Sequence, residues 1–510
     1  MRTIVIGAGS AGAVVAARMS EDGRHDVVLL EAGPDYPEAS ERVDTLPADL
    51  QNGLQNAMKS HDWGYSYRAT PHWLFSSMNM HFPRGRVVGG SSAVNTCIAL
   101  RGQPGDYDEW AALGLPEWTW SECLPAFKRL EHDLDFDNEW HGQDGPILIR
   151  RHKPEELVPW QAAFVEACRE LGFPDCDDAN DPTKHGVGPH SMNKVDGKRI
   201  SAARGYLTRA VRARPNLRIV PNALVRRVRF FQRRVAGVEV EVHGAVRDLK
   251  CDRVVVAAGA IATPGVLLRS GIGPKAELAR LGVSLVADVP GVGHKLLDHP
   301  GLAVFFKPHR TGMASIDHPL IQTLCRYSST DGPFADDMQL QAGSWVPVPG
   351  LPLPGVTLAC CVGKPRGHGT IRFHSTRADE RPELVTNFLV HEEDRMRAKE
   401  ALRWIGKLAK TKAVTALAKP VYPSRDPFDD KGDLRSALEQ ITGSGYHPCG
   451  TAPMGPDSDP LAACDGRGRV RGVTGLYVAD ASLMPTVPSS NTNLPTLMIG
   501  ERMGEWLRDG

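Results

Sequence analysis

The chain has 510 residues, and its 60 Lys+Arg are balanced by 60 Asp+Glu. At about 150 residues per domain, that length allows roughly three domain-sized pieces and a large core. Zero formal charge argues against a broad basic surface for nucleic acid and against an acidic tail, and 41% apolar with 24% charged residues is a globular composition rather than a disordered one.

The first thirty residues read strand, turn, helix, strand. Thr3-Ile4-Val5-Ile6 is a β-branched run of the kind a buried parallel strand uses. Gly7-x-Gly9-x-x-Gly12 follows, then a helix from Ala13 to Ser20 and a second strand from Asp26 to Leu30. In this setting the first glycine makes the turn, the second lets backbone approach a pyrophosphate, and the third lets helix and strand pack closely. Glu31 closes the second strand, where a carboxylate can accept ribose hydroxyls. Gly7, Gly9, Gly12 and Glu31 therefore predict a bound dinucleotide. The uncharged run from Thr3 to Ala17 also resembles a signal peptide, but its three glycines suit a tight turn better than an apolar signal core.

From Pro34 to Arg84 the sequence reads as a loop-rich connection, and a Gly/Ser-rich stretch, Arg84 to Ser92, leads into Ala93 to Arg101. Helical patterns cover Trp110–Glu131 and Trp160–Leu171. A strand at Leu217–Val220 and a hairpin pairing Val225–Phe231 with Gly237–Val242 follow, and then a buried strand ends at Gly259. Leu302 to about Phe373 alternates apolar and polar residues as an antiparallel sheet does. Arg395–Lys410 and Leu434–Thr442 read as helices, Gly475–Asp480 as a strand closing on an acid, and Leu497–Leu507 as a terminal helix. The predicted fold class is mixed α/β, a Rossmann-like dinucleotide domain with an inserted antiparallel-sheet substrate domain. The expected boundaries are 1–155, 195–298 and 441–510 for the first and 156–194 and 299–440 for the second.

The ten cysteines, Cys97 to Cys464, include no CxxC pair and no metal-ligand spacing. With no N-x-Ser/Thr acceptor and no membrane-spanning run, they predict a reduced, cytoplasmic protein without a structural metal. The sequence leaves the oligomeric state open.

Several segments in fixed order resemble the glucose–methanol–choline (GMC) family of FAD-dependent oxidoreductases. They are Leu30-Glu31-Ala32-Gly33, Pro83 to Asn95 with its Gly89-Gly90-Ser91-Ser92 core, Arg101-Gly102 with Asp106-Tyr107, Gly259 to Pro264 through Ser270-Gly-Ile-Gly273, Asp298-His299, His447-Pro-Cys-Gly450-Thr451, and Asn491-Thr-Asn493-Leu-Pro-Thr496. The resemblance covers the whole chain. It implies an FAD domain in several segments and a six-stranded antiparallel sheet over the substrate side of the flavin. It further implies that Gly89, Gly90 and Ser91 meet the diphosphate and ribityl chain and that Asn95, Thr96 and Cys97 run beside the isoalloxazine. Val225 falls at the adenine position, and Asp480, Ala481 and Asn493 at the C-terminal flavin contact. Some relatives tether FAD through a histidine; the aligned position here is Val94, so the FAD is expected to be noncovalent.

Oxidising an alcohol requires a group that takes the hydroxyl proton as hydride leaves for the flavin, and histidine titrates in the right range. Among 18 His, sequence chemistry alone selects none. The GMC pattern places the catalytic histidine at His447 and its partner at Asn491, an amide suited to orienting the alcohol oxygen and stabilising alkoxide character. His299 is expected to play a structural hydrogen-bonding role and Cys449 to pack. Lys295 stands where relatives commonly carry Asn, and Ala452 where many carry Cys. The implied partners are a small or medium primary alcohol, aromatic or furanic by preference, and O2, a quinone or another electron acceptor. Hydroxynitrile lyase and light-driven fatty-acid decarboxylase chemistry on the same scaffold are the alternatives. Phe305, Trp345 and Phe388 are candidates to line the substrate pocket.

Overall fold

A computed structural model describes residues 1–57, 60–69, 79–330, 332–347, 354–423 and 434–510. Parts of the expected loop-rich connection (58–59 and 70–78) and of the alternating region (331 and 348–353) lie outside the described residues.

The chain begins at the centre of a sheet. Arg2–Ile6 lies between Asp26–Leu30 and Arg253–Val256, with Leu217–Val220 and Leu476–Val478 at the two edges, and all neighbours run parallel. Ile4, Val5, Val27, Leu29, Val254, Val255 and Val256 are buried, as strands covered on both faces require. The first helix, Ser10–Met19, starts earlier than the sequence reading and takes Gly9 as its N-cap, so its N-terminal amides open at the strand end. It packs alongside the last helix, Asn493–Asp509. That last helix also begins before its expected start at Leu497, because Pro495 in the first turn needs no amide partner. Asn493 is consequently its first helical residue.

The second sheet is antiparallel. Its main path runs Ala418–Tyr422, Pro300–Pro308, Gly355–Val362, Met338–Val346, Thr323–Tyr327 and Gly186–Pro189. A seventh strand, Thr442–Ser444, pairs with the start of Pro300–Pro308, so the sheet exceeds the expected six. This short strand ends three residues before His447 and ties that segment to the sheet. Strand alternation gives the sheet two different faces. Leu302, Val304, Phe306, Leu340, Ala342 and Leu358 are buried, and Trp160 of helix Pro159–Glu170 caps them, with its ring 5.5 Å from that of Phe306.

The expected helix over Trp110–Glu131 is two helices, Pro104–Ala112 and Trp120–Leu130. Gly114 at φ +94° and Pro116 break the run. The Thr119 side chain then accepts from the Glu122 amide and restarts it.

Candidate active site

One continuous cavity of about 1110 Å³ runs from the parallel sheet to the antiparallel one. Gly7, Gly9, Glu31, Gly90, Ser91, Asn95, Thr96, Val225, Asp480, Ala481, Asn491, Asn493 and His447 all line it. Gly12, Gly89 and Cys97 do not. A Cβ on Gly12 would lie 1.8 Å from the Gly7 carbonyl oxygen, so Gly12 serves close packing. Gly89 makes a left-handed turn at φ +104° and donates its amide to Ala8 O at 2.7 Å. The Cys97 side chain is fully buried, with Sγ 3.3 Å from Arg199 Nη1 and turned from the cavity.

The cavity's near end fits FAD on three counts. The two glycine loops abut: a Cβ on Gly90 would come within 2.6 Å of Gly9 Cα, leaving bare backbone where a diphosphate needs amides. Glu31 accepts from the amides of Ala8 (3.0 Å) and Gly33 (2.9 Å), which fixes its carboxylate at the end of the second strand on the cavity wall, and burial pushes its pKa up to about 7. Asn493, which lines the cavity, accepts at Oδ1 from Ser10 Oγ at 2.8 Å, while its buried Nδ2 has no protein partner. Asp480 braces the floor rather than reaching out, since its carboxylate accepts from Gly259 N (2.8 Å), Thr263 Oγ1 (2.6 Å) and Ser482 N (2.8 Å). Val94 lines the cavity and offers no atom for a covalent tether.

At the far end, His447 and Asn491 meet across the cavity wall. Asn491 Nδ2 lies 2.9 Å from His447 Nε2, and His447 Nδ1 lies 2.8 Å from His299 Nδ1. His299 Nε2 in turn lies 2.9 Å from the Pro488 carbonyl oxygen. A carbonyl only accepts, so His299 carries its hydrogen on Nε2 and its Nδ1 is an acceptor. His447 must then donate from Nδ1, which leaves its Nε2 as a lone pair facing Asn491 and the cavity. Asp298 holds the backbone of this chain: its Oδ1 accepts from the amides of both His299 and His447 at 2.8 Å, and its Oδ2 accepts from Ser444 Oγ.

Burial, the His299 ring and the Arg84 guanidinium hold the His447 pKa well below its ordinary value. Burial lowers His299 to about 4 and raises Asp298 to about 6. The result is a neutral imidazole with a defined open nitrogen.

His299 makes hydrogen bonds, as expected of it, and those bonds orient the His447 ring; Arg84, Ser444 and Tyr67 also lie at the site and carry no mark in the sequence. Arg84 Nη2 donates to Tyr446 O at 2.8 Å, and Ser444 N donates to Tyr67 Oη at 2.8 Å. The adjacent Asp298-His299 pair was the available signal for the relay; nothing local marks the other three. Phe305 lines the cavity, whereas Trp345 and Phe388 do not.

A glycine-lined dinucleotide cradle that opens onto a neutral imidazole defines an FAD-dependent oxidoreductase. The sequence model of the GMC oxidoreductases matches residues 1–301 with its N-terminal part and 365–500 with its C-terminal part. The chain is 34% identical over 529 residues to the 5-(hydroxymethyl)furfural oxidase of a Methylovorus species, covering 98% of this chain and 97% of that one. It is 32% identical to the oxygen-dependent choline dehydrogenase of Photobacterium profundum, covering 98% and 92% of the two chains. The solved pyridoxine 4-oxidase from Mesorbium loti superposes with a TM-score of 0.90 at 27% identity, covering 100% and 99%. The protein belongs to the GMC oxidoreductase family.

Proposed function

We propose that the protein oxidises a small, uncharged primary alcohol to the aldehyde, with His447 as the base and Asn491 as the hydrogen-bond partner of the alcohol oxygen. The relay from Pro488 O through His299 to His447 carries this reading, because it leaves His447 Nε2 unprotonated at the cavity wall, its lone pair held by an Asn491 amide that an alcohol can displace. Bound in the cavity, FAD supplies the acceptor for the hydride. His447 Nε2 takes the hydroxyl proton, and its Nδ1–H stays on His299, so the ring keeps its orientation while it becomes cationic. The Asn491 amide, released from His447 by the incoming alcohol, donates to the oxygen as negative charge develops there. The electrons then pass to O2, a quinone or another acceptor.

Substrate class follows from the roof. The sheet residues facing the cavity include Gly301, Ala303, Phe305, Gln339, Thr357 and Ala359, all uncharged. A flat neutral ring fits such a surface, whereas a quaternary ammonium finds no carboxylate on the sheet itself; Glu380 and Glu439 line the cavity away from it. We also place the protein in the cytoplasm. All ten cysteines are free and all but Cys361 are buried, which suits a reducing compartment. Among the described residues no helix is long and apolar enough to cross a membrane.

The test is anaerobic mixing of the holoenzyme with benzyl alcohol, 5-(hydroxymethyl)furfural and choline. Benzyl alcohol or the furan should bleach the flavin absorbance and choline should not. Persistence of the oxidised spectrum with every primary alcohol would sink the oxidation reading, and bleaching by choline would sink the neutral-substrate reading.

A further inference from the structure

The segment leading into Asn491 is Pro485-Thr-Val-Pro-Ser-Ser490. Two prolines remove amide donors from it, so it cannot hold itself in a helix or a ladder. Its carbonyls are instead gripped from outside, one after another. Lys295 Nζ donates to Pro485 O at 2.6 Å, Trp110 Nε1 to Thr486 O at 3.2 Å, and Lys364 Nζ to Val487 O at 2.9 Å. His299 Nε2 donates to Pro488 O at 2.9 Å and Gln339 Nε2 to Ser489 O at 2.7 Å. Five successive carbonyls thus each accept from a side chain outside the segment.

Two of these donors, Lys295 and His299, come from one short extended segment, and that segment also holds the other catalytic segment. Leu297 exchanges both backbone hydrogen bonds with Cys449, at 3.0 and 2.9 Å, two residues beyond His447. Asp298 accepts the His447 amide. Residues 295–299 are therefore a bracket with the His447 segment on one side and the Asn491 segment on the other. His299 fixes the inner end of the second grip and Lys295 the outer end.

Lys364 is neutralised by Glu109 at 2.6 Å and Asp106 at 3.3 Å. Lys295 is different: it is half-buried, its hydrogen-bond partner is the Pro485 carbonyl, and Asp459 and Glu109 act on it only from beyond ion-pair distance. Holding a long, half-buried ammonium on a neutral acceptor costs side-chain freedom and part of its hydration, with no contact ion pair to offset them. Its presence is explained if the contact sets geometry at the site.

We propose that Lys295 is a positioning residue, which, through Pro485 and the 485–490 segment, sets the Asn491 amide against His447 Nε2. The proposal rests on the reading of Asn491 as the partner of the alcohol oxygen. Without Lys295 the segment stays tethered at four carbonyls but loses its outer anchor, and the amide drifts from the nitrogen it must share with substrate. Such misplacement costs rate rather than cofactor.

The test is a double-mutant cycle on the FAD-loaded enzyme, read as the rate of flavin reduction at saturating benzyl alcohol. Lys295→Met should slow reduction about tenfold, a barrier change of about 1.4 kcal/mol, with FAD content unchanged. In an Asn491→Ala background the same change should cost less than about twofold, because residues that act as a unit are not additive. Lys295→Arg, which keeps a donor, should recover most of the rate. Equal losses in both backgrounds, or no loss in either, would overturn the proposal. Should Met at 295 prevent folding, Lys295→Gln, shorter but polar, carries the same comparison.

A readout free of substrate separates this proposal from the oxidation reading. The 15N shift of His447 Nε2, assigned by its loss in His447→Ala, reports the Asn491 hydrogen bond directly. Lys295→Met should move it in the direction that Asn491→Ala does, and an unmoved shift would count against Lys295 even in an active enzyme. If no alcohol reduces the flavin, the oxidation reading falls and this shift alone decides the role of Lys295.

Discussion

Two buried histidines in this protein sit in opposite electrostatic surroundings. His141 has Glu131 Oε1 and Asp133 Oδ2 each 3.0 Å from Nδ1, and Asp178 Oδ2 2.7 Å from Nε2. With acceptors on both sides, the ring donates from both nitrogens and is an imidazolium, and these carboxylates raise its pKa to about 10 against the opposing effect of burial. His447 meets a second imidazole on one side and an amide on the other, and burial wins. Burial opposes the charged form at both sites; three carboxylates outweigh it at His141, and nothing touching the ring does so at His447.

The His141 cluster brings three ligand-type side chains together, with their ligating atoms within 4.8 Å of one another. Its positive charge is already supplied by Arg101 on Glu131 and by Arg151 on Asp133 and Asp178, at 2.9 and 2.6 Å. Three fully buried carboxylates face two guanidiniums and one imidazolium, with Asp135 at the rim 3.6 Å from Arg151, and the set makes the cluster a cross-link between segments far apart in sequence. A base needs the reverse, an open lone pair and no standing charge.

Substitutions should separate the two roles cleanly. His447→Ala is expected to slow flavin reduction by about 10²- to 10⁴-fold, the range for loss of a positioned base, while leaving chemical denaturation unchanged. Stopped-flow reduction of the variant at a rate near wild type would remove the base assignment. His141→Gln should do the opposite. It leaves buried carboxylates short of a cation and should cost about 3–5 kcal/mol of stability, with the reduction rate per folded, FAD-loaded molecule preserved. A denaturation midpoint equal to wild type would show that the cluster is not the cross-link described.

The two regions also differ in how much of them the sequence disclosed. The strand–turn–helix opening was legible because its cause is local: a β-branched run, three glycines and an acid within one supersecondary unit. His447, Asn491 and most of the cradle were legible only through a family resemblance, since nothing in periodicity distinguishes one histidine from eighteen. The relay was half-visible in Asp298-His299, but its direction depends on the Pro488 carbonyl, a contact made by folding alone. Thr442–Ser444 has no strand pattern, and its pairing comes from residues 300–302. Helices 104–112 and 120–130 merged on paper because their apolar spacing continues through a break that Gly114 and Pro116 enforce. The His141 cluster was missed entirely: its members lie at 101, 131, 133, 141, 151 and 178, and no local signal links them.

A milder perturbation tests the relay itself. His299→Phe keeps ring volume but removes the acceptor for His447 Nδ1–H and the donor to Pro488. The imidazole is then free to carry its hydrogen on either nitrogen, so the fraction with an open Nε2 falls. Flavin reduction should slow about 10- to 100-fold, as for other partners that fix a histidine tautomer. The 15N spectrum of His447 should change with it. An unchanged spectrum would show that something other than His299 sets the tautomer.

The smallest effects are those of pH, and here the two histidines should pull in different properties. His447 must be neutral to act, and its pKa lies well below the ordinary value, so the rate of flavin reduction should stay level as pH falls from about 8 to about 6.5, where an unperturbed imidazole would already be half protonated. His141 works with the opposite sign. Its folded pKa is raised to about 10 against about 6.5 when unfolded. Below the unfolded value both states hold the proton and the cluster's full contribution is present. Between the two values only the folded state holds it, so stability declines as pH rises, at a limiting slope of about 1.4 kcal/mol per pH unit. Denaturation series at about pH 7 and about pH 9 should therefore show wild type losing stability relative to His141→Gln, whose profile lacks this component. Parallel profiles for the two proteins would mean that His141 is not held as a cation, and the contrast with His447 would then rest on contacts without a difference in charge.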